Sequence, residues 1–183
     1  MIDVSKQSNA VVITLNRPAK ANALTQDMLQ QVLAAVRSAR GENCLILTGA
    51  GSVFSAGADL DAAKAGLAIS PIWEEVSAEI ANFPGLTIAA LNGTVAGGAT
   101  GMALACDLRI AAPTAKFFYP VMRLGFLPQP SDPIRMSRLI GPARTKQVFM
   151  AGAKVAADQA LAWGLINELA VPDQVVVRAL EMA

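Results

Sequence analysis

Two stretches of similar design stand out: residues 49–59, Gly-Ala-Gly-Ser-Val-Phe-Ser-Ala-Gly-Ala-Asp, and residues 93–101, Gly-Thr-Val-Ala-Gly-Gly-Ala-Thr-Gly. Each follows a short apolar run and leads into a helix-like one. Glycines let the backbone approach a ligand closely, and a helix start offers unpaired N–H groups carrying partial positive charge. Two such groups, one per loop, would polarise a carbonyl and stabilise charge developing on its oxygen. The absence of histidine among the 183 residues excludes Ser-His-Asp triads, Cys-His dyads and imidazole-ligated metals. A dinucleotide fingerprint starting at Gly49 fails because Phe54 stands at its third glycine, and no Gly-Lys-Ser/Thr follows to make a phosphate loop. Cys44 and Cys106 lie far apart in apolar runs without Cys-x-x-Cys spacing, as expected of buried free thiols in a reducing compartment.

The loops need rigid elements to hold them, and the chain alternates strand and helix signals. Residues 11–15, Val-Val-Ile-Thr-Leu, form a β-branched run closed by Asn16-Arg17-Pro18. A helix follows, with Thr25 as its cap, Asp27 in its first turn and Met28, Leu29, Val32, Leu33 and Val36 on one face. Strands are expected at 44–48, 87–91, 107–111 and 116–119, with helices after residue 59 and over 98–106. Beyond Pro133 the chain reads as helical pieces divided at Gly141-Pro142, Gly152 and Gly164, ending in a helix over 173–183. Strands alternating with helices argue an α/β fold. The length suits a single domain over residues 1–183.

Composition narrows the partners. Hydrophobic residues make up 54% and charged residues 16%, which excludes an intrinsically disordered chain. A net charge of +1 without basic clusters makes nucleic acid a poor partner. Residues 80–106 carry no charge, but Pro84, Gly85, Gly93, Gly97, Gly98 and Gly101 would break a membrane helix repeatedly, so no membrane partner is expected. The first residues, Met-Ile-Asp-Val-Ser-Lys, lack a signal-peptide pattern, and a cytoplasmic address is the default expectation.

Several motifs together resemble the enoyl-CoA hydratase/isomerase (crotonase) family: Asn16-Arg17-Pro18 with Asn22-Ala23-Leu24, Phe54 through Leu60, Asn92-Gly93 with Ala96-Gly97-Gly98, and Cys106-Asp107. Leu124-Gly125 with Pro128, and residues 157–165 ending in Trp163-Gly164-Leu165, extend the likeness over about residues 10–170. The resemblance implies a spiral of β-β-α units with helices packed on the sheets, its C-terminal helical part short or missing here. It also implies a CoA thioester as substrate with no further cofactor and no metal, and assembly as a homotrimer or dimer of trimers.

Carried over by position, the family's oxyanion-hole N–H groups fall on Ala58 and Gly98, and its substrate-binding positions on Ala21, Ala56, Ala58, Asp59, Leu60, Gly98 and Val121. The two glutamates that a hydratase of this family uses correspond to Gly101 and Val121, so neither carboxylate is present. Asp132 remains as a catalytic acid/base candidate, with Ser131, Tyr119 and Thr100 near the expected pocket. Before Pro133, Asp132 equally suits a surface or helix-capping aspartate. Arg123 suits either a substrate carboxylate or a salt bridge within a trimer. The expected function is therefore a lyase or isomerase of fatty-acid metabolism that stabilises a thioester enolate and hydrates enoyl-CoA poorly. The alternatives are a catalytically inactive acyl-CoA-binding module and, resting only on the glycine loops, a nucleotide-binding domain.

Overall fold

The computed structural model describes residues 1–183. Ten strands and seven helices follow one another in the order β1 (Ile2–Gln7), β2 (Ala10–Leu15), α1 (Gln26–Ser38), β3 (Cys44–Gly49), β4 (Val53–Ser55), α2 (Leu60–Lys64), α3 (Ile72–Ala81), β5 (Leu86–Leu91) and β6 (Thr94–Ala96). They continue with α4 (Ala99–Ala105), β7 (Leu108–Ala111), β8 (Lys116–Phe118), α5 (Asp132–Phe149), β9 (Val155–Ala156), α6 (Ala157–Trp163), β10 (Glu168–Leu169) and α7 (Val175–Met182). A six-stranded sheet runs β1-β2-β3-β5-β7-β10, and a four-stranded sheet runs β4-β6-β8-β9.

Successive coils of the chain contribute one strand to each sheet: β3 then β4, β5 then β6, β7 then β8. This is the expected spiral of β-β-α units. Within the larger sheet, β2, β3, β5, β7 and β10 are mutually parallel. Both faces of these strands are covered, so β3 is buried along its whole length and shows no polar alternation. Val11, Ile13 and Leu15 face the main core, while Ala10, Val12, Cys44, Ile46 and Ile88 face a second apolar layer closed by Val175 and Ala179 of α7.

The cap on α1 forms as its residue types dictate: Thr25 Oγ1 accepts the Met28 N–H at 3.3 Å. Six elements depart from the sequence expectation, among them the two-residue strands β9 and β10 within the stretch read as helical pieces. Residues 2–7 form an antiparallel hairpin with β2, and β4 and β6 arise inside the two glycine-rich stretches. Three-residue strands are too short to show an alternating pattern. Helix α3, with Ile72, Trp73, Val76, Ser77 and Ile80 buried, carries a legible 3–4 spacing within a segment otherwise read as irregular. Helix α5 begins at Asp132 and bends at Gly141, whose φ of +79° interrupts the helical geometry before Pro142. No helix is long and apolar enough to cross a membrane.

Candidate active site

The two glycine loops meet. Gly57 has φ +90° and Gly97 φ +53°, and a Cβ at Gly57 would lie 2.9 Å from the Ala96 carbonyl oxygen and 3.4 Å from Gly97 Cα. Only glycine allows both the left-handed backbone and this approach. Ala58 and Gly98, each the next residue along, are therefore brought side by side.

Ala58 lies in a short parallel bridge to Leu24, in which the Leu24 N–H donates to Gly57 O at 2.7 Å and the Asp59 N–H to Leu24 O at 2.8 Å. Its flanking peptides are thus pinned, while its own N–H makes no hydrogen bond within the protein. Gly98 precedes α4, and its N–H is likewise without a protein acceptor. Both residues line a cavity of about 180 Å³, none of whose seventeen lining residues carries a charge. Trp73 backs Gly98 closely: a Cβ there would lie 2.8 Å from the indole ring, which is itself fixed by donation from Nε1 to Leu67 O at 2.8 Å.

Two asparagines hold the first loop from either side. Asn22 Nδ2 donates to Ala50 O at 2.9 Å and Val53 O at 2.7 Å, and Asn92 Nδ2 donates to Gly51 O at 2.7 Å. Asn22 is fully buried at φ +52°, a left-handed conformation that asparagine tolerates better than most residues. Asn22→Ala is expected to orphan two carbonyls and cost about 1–3 kcal/mol of stability, measured as a lower urea midpoint at unchanged slope. A midpoint equal to that of the parent chain would show that the loop is held without it.

Of the substrate-binding positions carried over from the family, Ala56, Ala58, Leu60, Gly98 and Val121 line the cavity. Ala21 and Asp59 do not. The Ala21 carbonyl accepts the Ala56 N–H at 2.9 Å, tying the two coils together. The Asp59 carboxylate accepts from Arg17 at 2.7 Å and caps α2 through the Asp61 and Ala62 N–H groups at 3.1 and 3.3 Å. The Arg17 hydrogen bond, followed by that from Ala62, holds Asp59 below the usual carboxylate range.

The acid/base candidates are arranged differently from either sequence reading. Asp132 is 0% exposed, so it is not a surface residue, and its carboxylate caps nothing. It does not line the cavity either; it stands behind Tyr119, whose Oη donates to Asp132 Oδ2 at 2.7 Å. Asp132 Oδ1 has no hydrogen-bond partner and sits 3.9 Å from Arg135 of its own helix. Burial, with a smaller push from Glu74, raises the Asp132 carboxyl to about 7 against the lowering influence of Tyr119 and Arg135. Tyr119 lines the cavity, is only 1% exposed, and packs on Phe149 at 4.8 Å between ring centroids. Burial and the neighbouring Asp132 push its phenol well above its ordinary value.

Ser131 is not in the cavity; its N–H donates to Glu74 Oε2 at 3.2 Å and its hydroxyl to Glu74 Oε1, which anchors the start of α5 to α3. Arg123 donates to the Ala151 carbonyl and packs on Gly152; it does not line the cavity and makes no salt bridge within this chain. Trp73 and Glu74 were not anticipated as site residues. The helical spacing of α3 announces a buried Trp73, but its stacking behind Gly98 is a long-range contact that no local pattern encodes. Both cysteines are free and buried, and burial pushes the Cys106 thiol up to about 12, far from a reactive thiolate.

A spiral of β-β-α coils whose two glycine loops meet at the wall of one apolar cavity defines a protein of the crotonase type. The enoyl-CoA hydratase/isomerase family model matches residues 5–183, and the chain belongs to that family. It is 33% identical over 189 residues to a short-chain-enoyl-CoA hydratase of Clostridium acetobutylicum, covering 98% of this chain and 72% of the relative. It is 32% identical over 191 residues to a crotonyl-CoA hydratase of Syntrophomonas wolfei, covering 100% of this chain and 74% of the relative. The crystal structure of an enoyl-CoA hydratase from Bacillus anthracis superimposes with a TM-score of 0.91 at 31% identity, over 99% of this chain and 74% of that one.

Proposed function

We propose that this chain processes an apolar acyl-CoA, taking the thioester oxygen between the N–H groups of Ala58 and Gly98 and stabilising the enolate formed when the α-carbon loses a proton. The observation that supports this reading is the pair of N–H groups left without protein acceptors on two loops in contact, at two residues that line one uncharged cavity. Such preorganised donors act most strongly where water is excluded. The relatives named as hydratases make hydration the obvious reaction to test, but a family hydratase needs two carboxylates, and Gly101 and Val121 supply none. Hydration of an enoyl-CoA is therefore expected to be slow. Assembly as a homotrimer or dimer of trimers is proposed on the same family resemblance, and sedimentation tests it.

The deciding experiment is a calorimetric titration with a saturated straight-chain acyl-CoA, with NAD and ATP as controls. Deuterium incorporation at the acyl α-carbon in D₂O is then followed by mass spectrometry. Binding of the thioester alone, with exchange, is the expected result. Binding without exchange would favour an inactive acyl-CoA-binding module, a reading that gains support from the absence of any charged side chain on the cavity wall. Crotonyl-CoA hydration at the rate of an efficient hydratase would sink the account of the missing glutamates.

A further inference from the structure

Gly101 and Asp132 occupy one another's space. A Cβ at Gly101 would lie 2.7 Å from Asp132 Oδ1 and 2.8 Å from Oδ2, so α4 is a glycine helix at the point where the Asp132 carboxylate presses on it. The carboxylate is fully buried, one oxygen is bound by Tyr119 Oη and the other lacks a hydrogen-bond partner. An ionisable group kept buried and half-satisfied destabilises the fold, and such groups cluster at functional sites. The only route from this carboxylate to the cavity given by these contacts runs through Tyr119, which lines the cavity wall beside Pro120 and Val121.

We infer that Tyr119 is the proton-transferring residue of this site and that Asp132, acting through it, completes a two-member relay in place of the family's glutamates. The inference rests on the enolate reading above. In the deprotonating direction the substrate Cα–H bond breaks and its proton joins Tyr119 Oη, while the phenolic proton passes along the 2.7 Å hydrogen bond to Asp132 Oδ2. The C–H electron pair becomes the enolate double bond, and the thioester carbonyl pair moves onto the oxygen held by Ala58 and Gly98. Reversal returns a proton to the α-carbon. No free tyrosinate forms, so the high affinity of the phenol for its proton does not block the step, and the carboxyl raised to about 7 is matched to work near neutrality.

The groups facing Asp132 are Tyr119 beyond β8, Arg135 on α5 and Glu74 on α3, while α4 presents Gly101 and carries no titratable side chain. Deprotonation needs Asp132 ionised, so deuterium exchange into the bound acyl-CoA rises with pH through about 7. Tyr119→Phe removes the transferring hydroxyl, and Asp132→Asn keeps an amide oxygen for Tyr119 to donate to but cannot take up its proton. Each is expected to lower exchange by ~10²–10⁴-fold, and Asp132→Asn, which lies off the cavity wall, to do so at unchanged acyl-CoA affinity. The double variant should lose no more than either single one, because the pair acts as a unit.

An Asp132→Asn protein that exchanges at the parent rate, with the same pH profile, would reduce Asp132 to a packing role and overturn the relay. A Tyr119→Phe protein that exchanges normally would do the same. If either variant melts early, Gly101→Ala gives an independent probe: its added methyl displaces the carboxylate, and exchange must fall with it. Loss of exchange in Ala58→Pro together with full exchange in the relay variants would remove the relay and leave the enolate reading standing. Absence of exchange in the parent chain would remove both.

Discussion

The variant Ala58→Pro is expected to lose α-carbon exchange by ~10²–10³-fold while keeping its fold, since one oxyanion donor contributes ~2.7–4 kcal/mol to a transition state. Proline removes the donor without breaking any hydrogen bond of the protein, because the Ala58 N–H makes none. The bridge to Leu24 is carried by Gly57 O and the Asp59 N–H on either side, so the backbone anchoring survives when the N–H is removed. Thermal unfolding compared between variant and parent separates loss of the donor from loss of the loop. Exchange at the parent rate in a folded Ala58→Pro protein would mean that the thioester oxygen lies elsewhere.

The second large effect concerns stability. The Asp132 carboxyl rises from 3.8 to about 7 on folding, mainly through burial, so the native protein holds this proton more tightly than the unfolded chain does. Between about pH 4 and pH 7 the native state binds more protons, and stability falls as pH rises through that window; below it the penalty is absent, above it complete. At 1.36 kcal/mol per unit the full penalty is on the order of 4 kcal/mol. Asp132→Asn carries no charge to bury, so its stability advantage over the parent should be small at pH 4, grow with pH and reach about 2–4 kcal/mol at pH 8. Denaturant titrations at several pH values measure this directly. A gap that stays constant with pH would show that the ionised carboxylate is not what the site penalises. A variant that is more stable but inactive is the trade-off expected where a fold retains a strained group for function.

The local elements of this protein are legible from residue order alone. The Thr25 cap, the apolar face of α1, the unbroken apolar run of β3 and the glycine turns between sheets each depend on neighbours a few positions away, and side-chain period and backbone preference encode them. The loops that carry Ala58 and Gly98 were visible for the same reason. The partners within the site are decided otherwise. Gly57 meets Gly97, Trp73 backs Gly98, and Asp132 enters the space above Gly101 only because successive coils stack in register. That register is set by long-range pairs such as Asn22 and Asn92 with the turn at 50–53, separated in sequence by 28 to 41 residues. Asp59 and Asp132 make the contrast plain. Asp59 is a candidate by its position in the family resemblance and Asp132 as a remaining carboxylate near the expected pocket; the tertiary structure commits the first to Arg17 and the start of α2, and buries the second against Tyr119, because the free energy of a buried charge depends on its surroundings and not on its place in the chain.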